Sequence, residues 1–509
     1  MLAKALSSAL LGIDAVIVDV EVDISPGLPQ FATVGLPDGA VKESKDRVKS
    51  ALKNAGYDFP PRKITVNLAP ADLKKEGAAF DLPISVGILA ATGVVEGGRL
   101  KEYLLLGELS LDGIIKPVRG CLSVAVAARN AGLAGIVVPR ENAPEAAVVE
   151  GVDVIGVSEL AEVVEFLNGE RRIDPHRVDV AELFERNAET GDDFAEVKGQ
   201  EHAKRALEVA AAGSHNLLMI GPPGSGKTML ARRIPTILPR MSFEEAIETT
   251  KVYSITGLLD REHALIAQRP FRSPHHTVSD IGLIGGGNTP RPGEVSLSHY
   301  GVLFLDELPE FKKNVLEVLR QPLEDGKVTI SRALMSLTYP SRFMLVAAMN
   351  PCKCSGNPAN PDSCTCSMRE LIQYRSRISG PLMDRIDIHI EVPAVKYREL
   401  AEQSEGESSA VIAKRVEAAR GIQLERFKGT KVHCNAHMNP RQIRKFCEPD
   451  AAGHRLLEMV TERLGFSARA YTRILKVART IADLEGSEYV REQHLAEAIQ
   501  YRSLDRKTT

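Results

Sequence analysis

The sequence predicts an α/β multidomain protein with an N-terminal α+β domain, a central α/β domain and a C-terminal helical lid. In residues 1–169, strand-like runs such as AVIVDVEVDI alternate with helix-like stretches such as LSVAVAARNAG. In residues 194–393, an apolar run leads into a glycine-rich loop and a helix, the order typical of a phosphate-binding loop. From residue 394 to residue 509, apolar residues recur with a helical period. The polar tract 170–193 is interpreted as a linker.

The composition is that of a globular protein. The chain has 509 residues, of which 44% are hydrophobic and 26% are charged, so it can bury several cores. A formal net charge of −3 indicates no general affinity for polyanions, although a ring can gather positive charge in its pore. Asp14 interrupts the N-terminal apolar run before it reaches a membrane-spanning length, so we expect no signal peptide or anchor and a cytoplasmic location.

The most specific motif is the phosphate-binding loop that follows the apolar run NLLMI. Backbone N–H groups of such a loop surround phosphate oxygens, its lysine reaches the β- and γ-phosphates, and its Thr hydroxyl binds Mg²⁺. The sequence therefore predicts ATP and Mg²⁺ as ligands. The predicted nucleotide-binding residues are Gly221, Pro222, Pro223, Gly224, Ser225, Gly226, Lys227 and Thr228.

Four polar residues further along the chain complete a candidate catalytic set. GVLFLDEL places Asp306 and Glu307 after a buried strand, where Asp306 is suited to hold Mg²⁺ and Glu307 to deprotonate a water. FMLVAAMN ends on Asn350, predicted to contact the γ-phosphate and the attacking water, although Asn also favours turns. Arg385 lies between two aspartates, so it either reaches the nucleotide of a neighbouring subunit or forms a local ion pair.

Four of the seven cysteines form two Cys-x-Cys pairs, Cys352 with Cys354 and Cys364 with Cys366. Four thiolates can form a closed tetrahedral Zn²⁺ site, although Cys-x-Cys is tighter than the common Cys-x-x-Cys. We favour zinc over free or redox-labile thiols, and both over disulfides, since a cytoplasmic location disfavours disulfides. The segment begins just past Asn350 and ends before Arg385, so a metal there would fix the subunit edge facing a neighbour.

Four further stretches carry a resemblance to a known family: PFRSPHHTVSDIGLIGGG, PRPGEVSLSHYGVLFLDELPEF, TISRALMSLTYPSRFMLVAAMNPC and SRISGPLMDRIDIHIEVP. They resemble the magnesium-chelatase-like AAA+ ATPases, and within them the YifB/ComM group. The resemblance covers almost the whole chain and implies a hexameric ring that moves along DNA and performs branch migration, in natural transformation or general recombination. It implies that Arg385 is a trans-acting arginine finger and that Arg469 is the lid arginine that binds nucleotide, with Arg473 and Arg479 as nearby alternatives.

The same resemblance implies two loops that project into the pore and grip DNA. One lies within residues 280–298 and contains a Gly-Gly-Gly tract and Arg291. The other is a hairpin within residues 328–343, whose tip ALMSL is uncharged but whose flanks carry Arg332 and Arg342.

The N-terminal domain, residues 1–169, resembles the proteolytic domain of Lon, a ribosomal S5 domain 2-like fold, around GELSLDGIIKPVRGCLSVAVAARNAG. Ala79 stands where Lon has its nucleophilic serine, and Leu122 where it has its lysine. Because a Ser-Lys mechanism needs both groups, we expect no peptidase activity. Ser85 and Ser123 lie nearby at other offsets and are interpreted as packing residues.

Two rival functions remain open. One is a motor for metal insertion into a porphyrin, which the Lon-like domain and the cysteine segment disfavour. The other is a protein remodeller, which would need an aromatic grip in its pore, whereas Tyr300 and Tyr339 are predicted to lie in strands. His275 and His276 lack a matching carboxylate pattern and are interpreted as structural or phosphate-contacting residues.

Overall fold

The chain divides into two units, and each is built around its own sheet. Unit 1 contains Met1–Arg186 and Ala246–Ala267, and unit 2 contains Asn187–Glu245 and Gln268–Thr509. No sequence pattern indicates that residues 246–267 belong with the N-terminal part. No described helix has both the length and the apolar composition that crossing a membrane requires. The computed structural model describes residues 1–186, 191–259, 264–287, 290–332, 335–354, 364–394, 406–464 and 467–502.

Unit 1 contains a mixed seven-stranded sheet. Its order is β3-β4-β2-β1-β5-β8-β9, with β2 antiparallel to both of its neighbours and the other pairs parallel. The strands β6 and β7 form a separate short hairpin. The strands of this unit are β1 (Leu2–Leu11), β2 (Asp14–Ser25), β3 (Gln30–Val34), β4 (Lys63–Ala69), β5 (Tyr103–Leu105), β6 (Glu108–Leu109), β7 (Ile115–Lys116), β8 (Gly135–Pro139) and β9 (Asp153–Val157).

Helices cover this sheet because their apolar faces need burial. The helix with sequence DLPISVGILAA is apolar on nearly all sides and almost wholly buried, as expected of a core helix. Leu122 is fully buried in the helix CLSVAVAARN, and Ala79 lies in a short 3₁₀ turn. The helices are α1 (Gly39–Asn54), α2 (Asp81–Ala91), α3 (Gly97–Leu100), α4 (Cys121–Asn130), α5 (Ala143–Ala147), α6 (Leu160–Leu167) and α7 (Val180–Arg186).

Unit 2 contains a five-stranded parallel sheet of order β11-β14-β17-β10-β18. The central strands LLMI, VLFL and MLVAAM are continuous buried apolar runs, as expected of a sheet covered on both faces. The strand β10 lies between β17 and β18, so the chain order reverses there and leaves a crevice beyond the carboxyl ends. The strands are β10 (Leu217–Ile220), β11 (Phe271–Arg272), β12 (Gly285–Gly286), β13 (Arg291–Pro292), β14 (Val302–Leu305), β15 (Lys327–Arg332), β16 (Met335–Pro340), β17 (Met344–Met349) and β18 (Ile388–Glu391).

The remaining helices include α10, which begins in unit 2 and ends in unit 1. They are α8 (Glu201–Gly213), α9 (Lys227–Arg233), α10 (Phe243–Thr256), α11 (Asp280–Ile284), α12 (Glu294–Leu297), α13 (Lys313–Glu317), α14 (Arg320–Asp325), α15 (Met368–Arg375) and α16 (Gly380–Met383), and then, towards the C-terminus, α17 (Ser409–Arg426), α18 (Pro440–Phe446), α19 (Ala451–Leu464), α20 (Ala468–Leu484) and α21 (Glu492–Gln500). The fold is thus a mixed α/β multidomain architecture with a parallel sheet and C-terminal helices.

The C-terminal helices join the sheet through a shared core and through polar groups at the end of α8. Arg420 of α17 donates to the carbonyl oxygens of Ala211 and Ala212, at 3.1 and 3.0 Å, and to the Ser214 hydroxyl at 2.8 Å. Gln423 donates to the Ala212 carbonyl at 3.1 Å. The last carbonyls of a helix have no partner within it, so α17 satisfies groups that would otherwise be buried and unpaired.

A second connection is a buried ion pair between the sheet and α20. The Asp387 carboxylate is 1% exposed and pairs with Arg473 of α20. It also accepts from the Asn216 backbone N–H at 3.1 Å and lies 3.4 Å from His215 Nδ1. Burial alone would raise the pKa of Asp387, but Arg473 and His215 hold it well below its usual range.

We expect Arg473→Met to destabilise unit 2 by about 3–5 kcal/mol, because it leaves a buried carboxylate without its countercharge. Arg469→Met is the matched control on the same helix, since Arg469 is 61% exposed and pairs with the half-exposed Asp384. Its cost should stay below about 1 kcal/mol. Urea unfolding at neutral pH measures both free energies, and equal costs for the two variants would contradict the assignment.

The same variant has an expected pH dependence. A depressed aspartate pKa contributes stability above the ordinary value of about 4, and this stability is lost as the pH falls through the folded-state pKa. The stability difference between wild type and Arg473→Met should therefore shrink in acid. A difference that is constant from neutral pH to pH ~3 would indicate that the Asp387 charge is not involved.

Candidate functional site

The phosphate-binding loop connects β10 to α9 and is shaped by its glycines. A Cβ at Gly221 would lie 2.1 Å from the carbonyl oxygen of Val392, so only glycine fits where β10 passes β18. Gly226, the residue before α9, has φ +84°, a conformation that favours glycine. These two constraints place the N-terminus of α9 at the crevice.

Lys227 lies at the centre of this crevice. Its Nζ donates to the carbonyl oxygens of Gly221 and Pro222, at 2.7 and 2.9 Å, and lies 3.5 Å from Asn350 Oδ1. Burial lowers the pKa of Lys227, while the charges of Asp306 and Glu307 oppose the shift. The ammonium group thus has only partial countercharge nearby, and an anionic phosphate would supply the rest.

Thr228 and Asp306 form the second contact of the site. The Thr228 hydroxyl donates to Asp306 Oδ2 at 2.7 Å, which joins the start of α9 to the end of β14. Hydroxyl and carboxylate oxygens are ligands that Mg²⁺ accepts, usually together with waters and phosphate oxygens. Side by side with Lys227, they fit a Mg²⁺-nucleotide.

Glu307 follows Asp306 in an unusual backbone conformation. Its φ is +51°, and its backbone N–H donates to Asp306 Oδ1 at 2.9 Å. Such a conformation in a non-glycine residue is uncommon and often marks a functional position. The Glu307 side chain is 55% exposed, so its carboxylate is accessible to water.

Sequence reasoning did not identify a histidine that lies beside this carboxylate. His276 Nδ1 lies 3.5 Å from Glu307 Oε2. The imidazole also stacks on His275 at 4.1 Å and meets the edge of Phe311 at 6.4 Å. The doubled histidine was visible in the sequence, but nothing in it indicated which ring approaches Glu307.

Gln200 is a second residue that sequence reasoning missed. Its side-chain Nε2 donates to the Ser225 carbonyl at 2.7 Å and approaches the Pro393 carbonyl at 3.3 Å, so it links the phosphate-binding loop to the chain after β18. Gly199 and Gln200 both have positive φ, at +63° and +58°. The consecutive left-handed turn before α8 aims the amide at the loop, and a Gly-Gln pair before a helix was the only signal.

The two predicted arginines, Arg385 and Arg469, lie away from Lys227, and both lie at the same edge of the sheet. Arg385 precedes β18, whereas the phosphate-binding loop follows β10, and these strands are parallel and paired from Leu217 with Ile388 to Ile220 with Glu391. Arg385 therefore lies at the opposite edge of the sheet from the loop. Arg469 Nη1 pairs with Asp384 Oδ2 at 3.3 Å, so it lies at the same edge.

Arg385 has a local partner that the sequence did not indicate. Its guanidinium pairs with Glu324 of α14 and donates to the Pro381 carbonyl, and its side chain is 7% exposed. The two flanking aspartates, which were the expected local partners, pair instead with Arg469 and Arg473. To reach a nucleotide, the Arg385 side chain would have to leave Glu324.

The alternatives to Arg469 are engaged elsewhere. Arg473 pairs with the buried Asp387, and Arg479 is 2% exposed and pairs with Asp483. Arg469 is 61% exposed and is thus the accessible arginine of α20 among these three.

The two predicted DNA loops pack against each other. The hairpin of β15 and β16 is antiparallel, and residues 333–334 of its tip lie outside the described residues. The Tyr339 hydroxyl of this hairpin donates to the Pro290 carbonyl of the other loop at 2.7 Å. Arg291 and Arg332 are both exposed, while Tyr339 is 2% exposed. The pair of loops thus offers arginines, and not this tyrosine, to solvent.

The cysteines of the two Cys-x-Cys pairs converge. The Sγ atoms of all four lie within 4.8 Å of one another, although residues 355–363 between the pairs lie outside the described residues.

Cys434, which the pattern presented as isolated, is buried, and its Sγ lies 3.1 Å from His437 Nδ1. Burial alone would raise the pKa of this thiol, but His437 lowers it to about 5.

Comparisons with known proteins match the chain along most of its length. Three family models match: "Magnesium chelatase, subunit ChlI" over residues 193–400, "Subunit ChlI of Mg-chelatase" over residues 20–142, and "Magnesium chelatase, subunit ChlI C-terminal" over residues 406–502. A shorter similarity, 30% identity over 151 residues, links 28% of the chain to 27% of Lon protease 2 of Bacillus subtilis.

Several relatives match over nearly their whole length, among them two that are 45% identical to this chain. The uncharacterized protein YifB of Salmonella typhimurium is 45% identical over 507 residues, covering 99% of this chain and 98% of the relative. The competence protein ComM of Haemophilus influenzae is 45% identical over 510 residues, with the same coverage. The resemblance inferred from the motifs is confirmed: the chain belongs to the YifB/ComM family of magnesium-chelatase-like proteins.

Proposed function

We propose that this protein is an ATP-driven ring motor that acts on DNA, with branch migration of recombination intermediates as its task. The family assignment supports an oligomeric ATPase. The observation that carries the proposal is the separation of Lys227 from Arg385 and Arg469 to opposite edges of one sheet. Because both arginines lie far from the loop of their own chain, they would meet the nucleotide of a neighbour, and a ring of such contacts closes on itself.

Each residue of the site has a role in hydrolysis. Lys227 and the loop N–H groups would bind the phosphates, and Asn350 would orient the attacking water. Glu307 would accept the proton of that water. Thr228 and Asp306 would hold Mg²⁺, which offsets phosphate charge when bound. Arg385 of the adjacent subunit would stabilise the charge that develops on the γ-phosphate, with Arg469 beside it.

The proposal that DNA is the partner rests on the two packed loops and on a relative. Arg291 and Arg332 are exposed on neighbouring hairpins, and guanidinium groups there can bind phosphates of either strand. The burial of Tyr339 disfavours a protein remodeller with an aromatic grip. A relative matched over 98% of its length is named a competence protein, which is compatible with work on DNA.

We expect branched DNA to raise the ATPase rate of the full-length protein more than duplex or single-stranded DNA does. The measurement is steady-state hydrolysis with four-way junction, fork, duplex and single strand, with porphyrin and unfolded protein as further additions. ATP-dependent dissociation of the junction should accompany stimulation. Arg291→Ala combined with Arg332→Ala should weaken DNA stimulation at least about tenfold and reduce its salt dependence, while the rate without DNA is retained.

The control for contaminating ATPases is Lys227→Ala, which should be inactive under every condition. A rate that no DNA changes, but that porphyrin or polypeptide raises, would contradict the DNA motor and favour the corresponding rival.

We expect two inactive variants to restore each other's hydrolysis when they are mixed. Lys227→Ala lacks the phosphate-binding lysine, and Arg385→Ala lacks the finger. In a mixed ring, an intact loop from the second variant can meet an intact arginine from the first. Random assembly of equal amounts should give about a quarter of wild-type activity.

Mixing Lys227→Ala with the double variant Lys227→Ala, Arg385→Ala is the control, because it cannot create an intact pair. If the first mixture is as inactive as this control while both variants assemble, Arg385 acts within its own chain, whereas an Arg385→Ala variant that is active by itself would show that Arg385 has no role in hydrolysis.

We expect His276→Ala to lower kcat by about ten- to a hundredfold with little change in KM, because the ring holds the Glu307 carboxylate rather than the nucleotide. His276→Gln should restore part of the activity, since an amide can also hydrogen-bond a carboxylate. His275→Ala is the matched control, as the His275 Nδ1 partner is Thr277 at 2.9 Å. Equal losses in both histidine variants would assign the pair a structural role instead.

A further inference from the structure

The four cysteines that follow β17 have the geometry of a metal site. Sγ of Cys352 lies 3.3 Å from Cys354 and 3.5 Å from Cys364, and Cys354 lies 3.6 Å from Cys364. Cys366 joins them within the common limit of 4.8 Å. Four thiolates at the Zn–S distance of about 2.3 Å lie about 3.8 Å apart at the corners of a tetrahedron. The observed spacing is thus that of a closed S₄ site.

Other uses of the thiols fit this geometry less well. All four are unbonded cysteines, and a disulfide would bring one pair to about 2 Å and leave the other two sulfurs without a role. Thiols are weak donors and weak acceptors, so contacts among themselves give little reason for four to converge. An iron–sulfur cluster places several irons and sulfides between its cysteines, which requires wider spacing than 3.3–3.6 Å.

Both cysteine pairs are attached to well-defined elements. Cys352 is buried two residues after Asn350, at the carboxyl end of β17. Cys366 directly precedes Ser367, which caps α15. Its hydroxyl accepts from the Glu370 N–H at 3.3 Å, and the Glu370 carboxylate accepts from the Ser367 N–H at 2.8 Å. A metal bound here would tie the end of a core strand to the start of a helix.

The far end of α15 returns to the same strand end. The Tyr374 side chain is buried, and its hydroxyl oxygen accepts a hydrogen bond from the backbone N–H of Asn350. Arg377, just after the helix, pairs with Glu310 at 2.9 Å, three residues beyond Glu307. The described residues at the end of β17 are therefore joined to α15 in two ways, through the cysteine cluster and through Tyr374.

We propose that Cys352, Cys354, Cys364 and Cys366 bind one structural Zn²⁺ ion, which fixes the segment between β17 and α15. The ion replaces the thiol protons, which are released on binding. Without it, the two cysteine pairs would lose their shared ligand, and Tyr374 would remain as a contact between the end of β17 and α15 while the parallel sheet persists. The site takes a soft, tetrahedral metal and has no open position, which makes it structural rather than catalytic.

The experiment measures metal bound to tag-free, full-length protein purified with a reductant, equilibrated with Zn²⁺ and passed through gel filtration. Elemental analysis should find about one zinc per chain. Replacing Zn²⁺ with Co²⁺ should produce the intense visible bands of tetrahedral thiolate coordination. Cys354→Ser combined with Cys364→Ser should reduce bound zinc at least about tenfold, and limited proteolysis should then cut the segment between the cysteine pairs faster.

Cys121→Ala is the matched control, because it removes a thiol outside the cluster and should leave zinc content unchanged. Circular dichroism of the double serine variant checks that the protein still folds, and Cys366→Ser is measured in its place if it does not. Iron instead of zinc, zinc that survives loss of two ligands, or no metal with four titratable thiols or with disulfides would each overturn the proposal.

Discussion

The buried carboxylate of Asp387 is the group on which the arrangement of unit 2 depends. It lies at the amino end of β18, where it receives Arg473 from a C-terminal helix, His215 and the backbone of Asn216 from the start of β10. A buried charge tolerates little displacement of its partners, since each partner offsets part of the desolvation free energy of the charge. The carboxylate therefore fixes α20, the start of β10 and the start of β18 relative to one another.

The amino end of β18 also carries the two arginines that are proposed to act on the nucleotide of a neighbour. The loop, Asp306, Glu307 and Asn350 lie beyond the carboxyl ends of parallel strands, whereas Arg385 and Arg469 lie near the amino end of β18, where they pair with Glu324 and Asp384. A rigid sheet cannot fold one edge onto the other. Under the proposed mechanism, hydrolysis that uses both sets of groups would need a second copy of the chain, and Arg385 would have to exchange Glu324 for the nucleotide of that copy.

Much of the fold was predictable because its signals are local. A continuous apolar run followed by a polar residue indicates a buried parallel strand and its carboxyl end, and in the structure the residues found by this pattern, Asp306 and Asn350, lie beside Thr228 and Lys227. Long-range partners were not predictable. Glu324 is 61 residues from Arg385, and His275 and His276 are indistinguishable until the fold brings one of them to Glu307. The convergence of the cysteines was predictable from their spacing, but the hydrogen bond between Tyr374 and the backbone of Asn350 was not.

The excursion of residues 246–267 into unit 1 affects how the chain acquires its structure during synthesis. Ser254 donates to the buried carboxylate of Glu145, and Lys251 pairs with Asp14 at 2.8 Å, so unit 1 lacks these contacts until the ribosome has passed the phosphate-binding loop. The N-terminal part therefore cannot complete its fold until residues 246–267 have been synthesised. A fragment cut near residue 187 would lack Ser254 and Lys251, so Glu145 would lose one of its hydrogen-bond donors and Asp14 would lose its ion-pair partner.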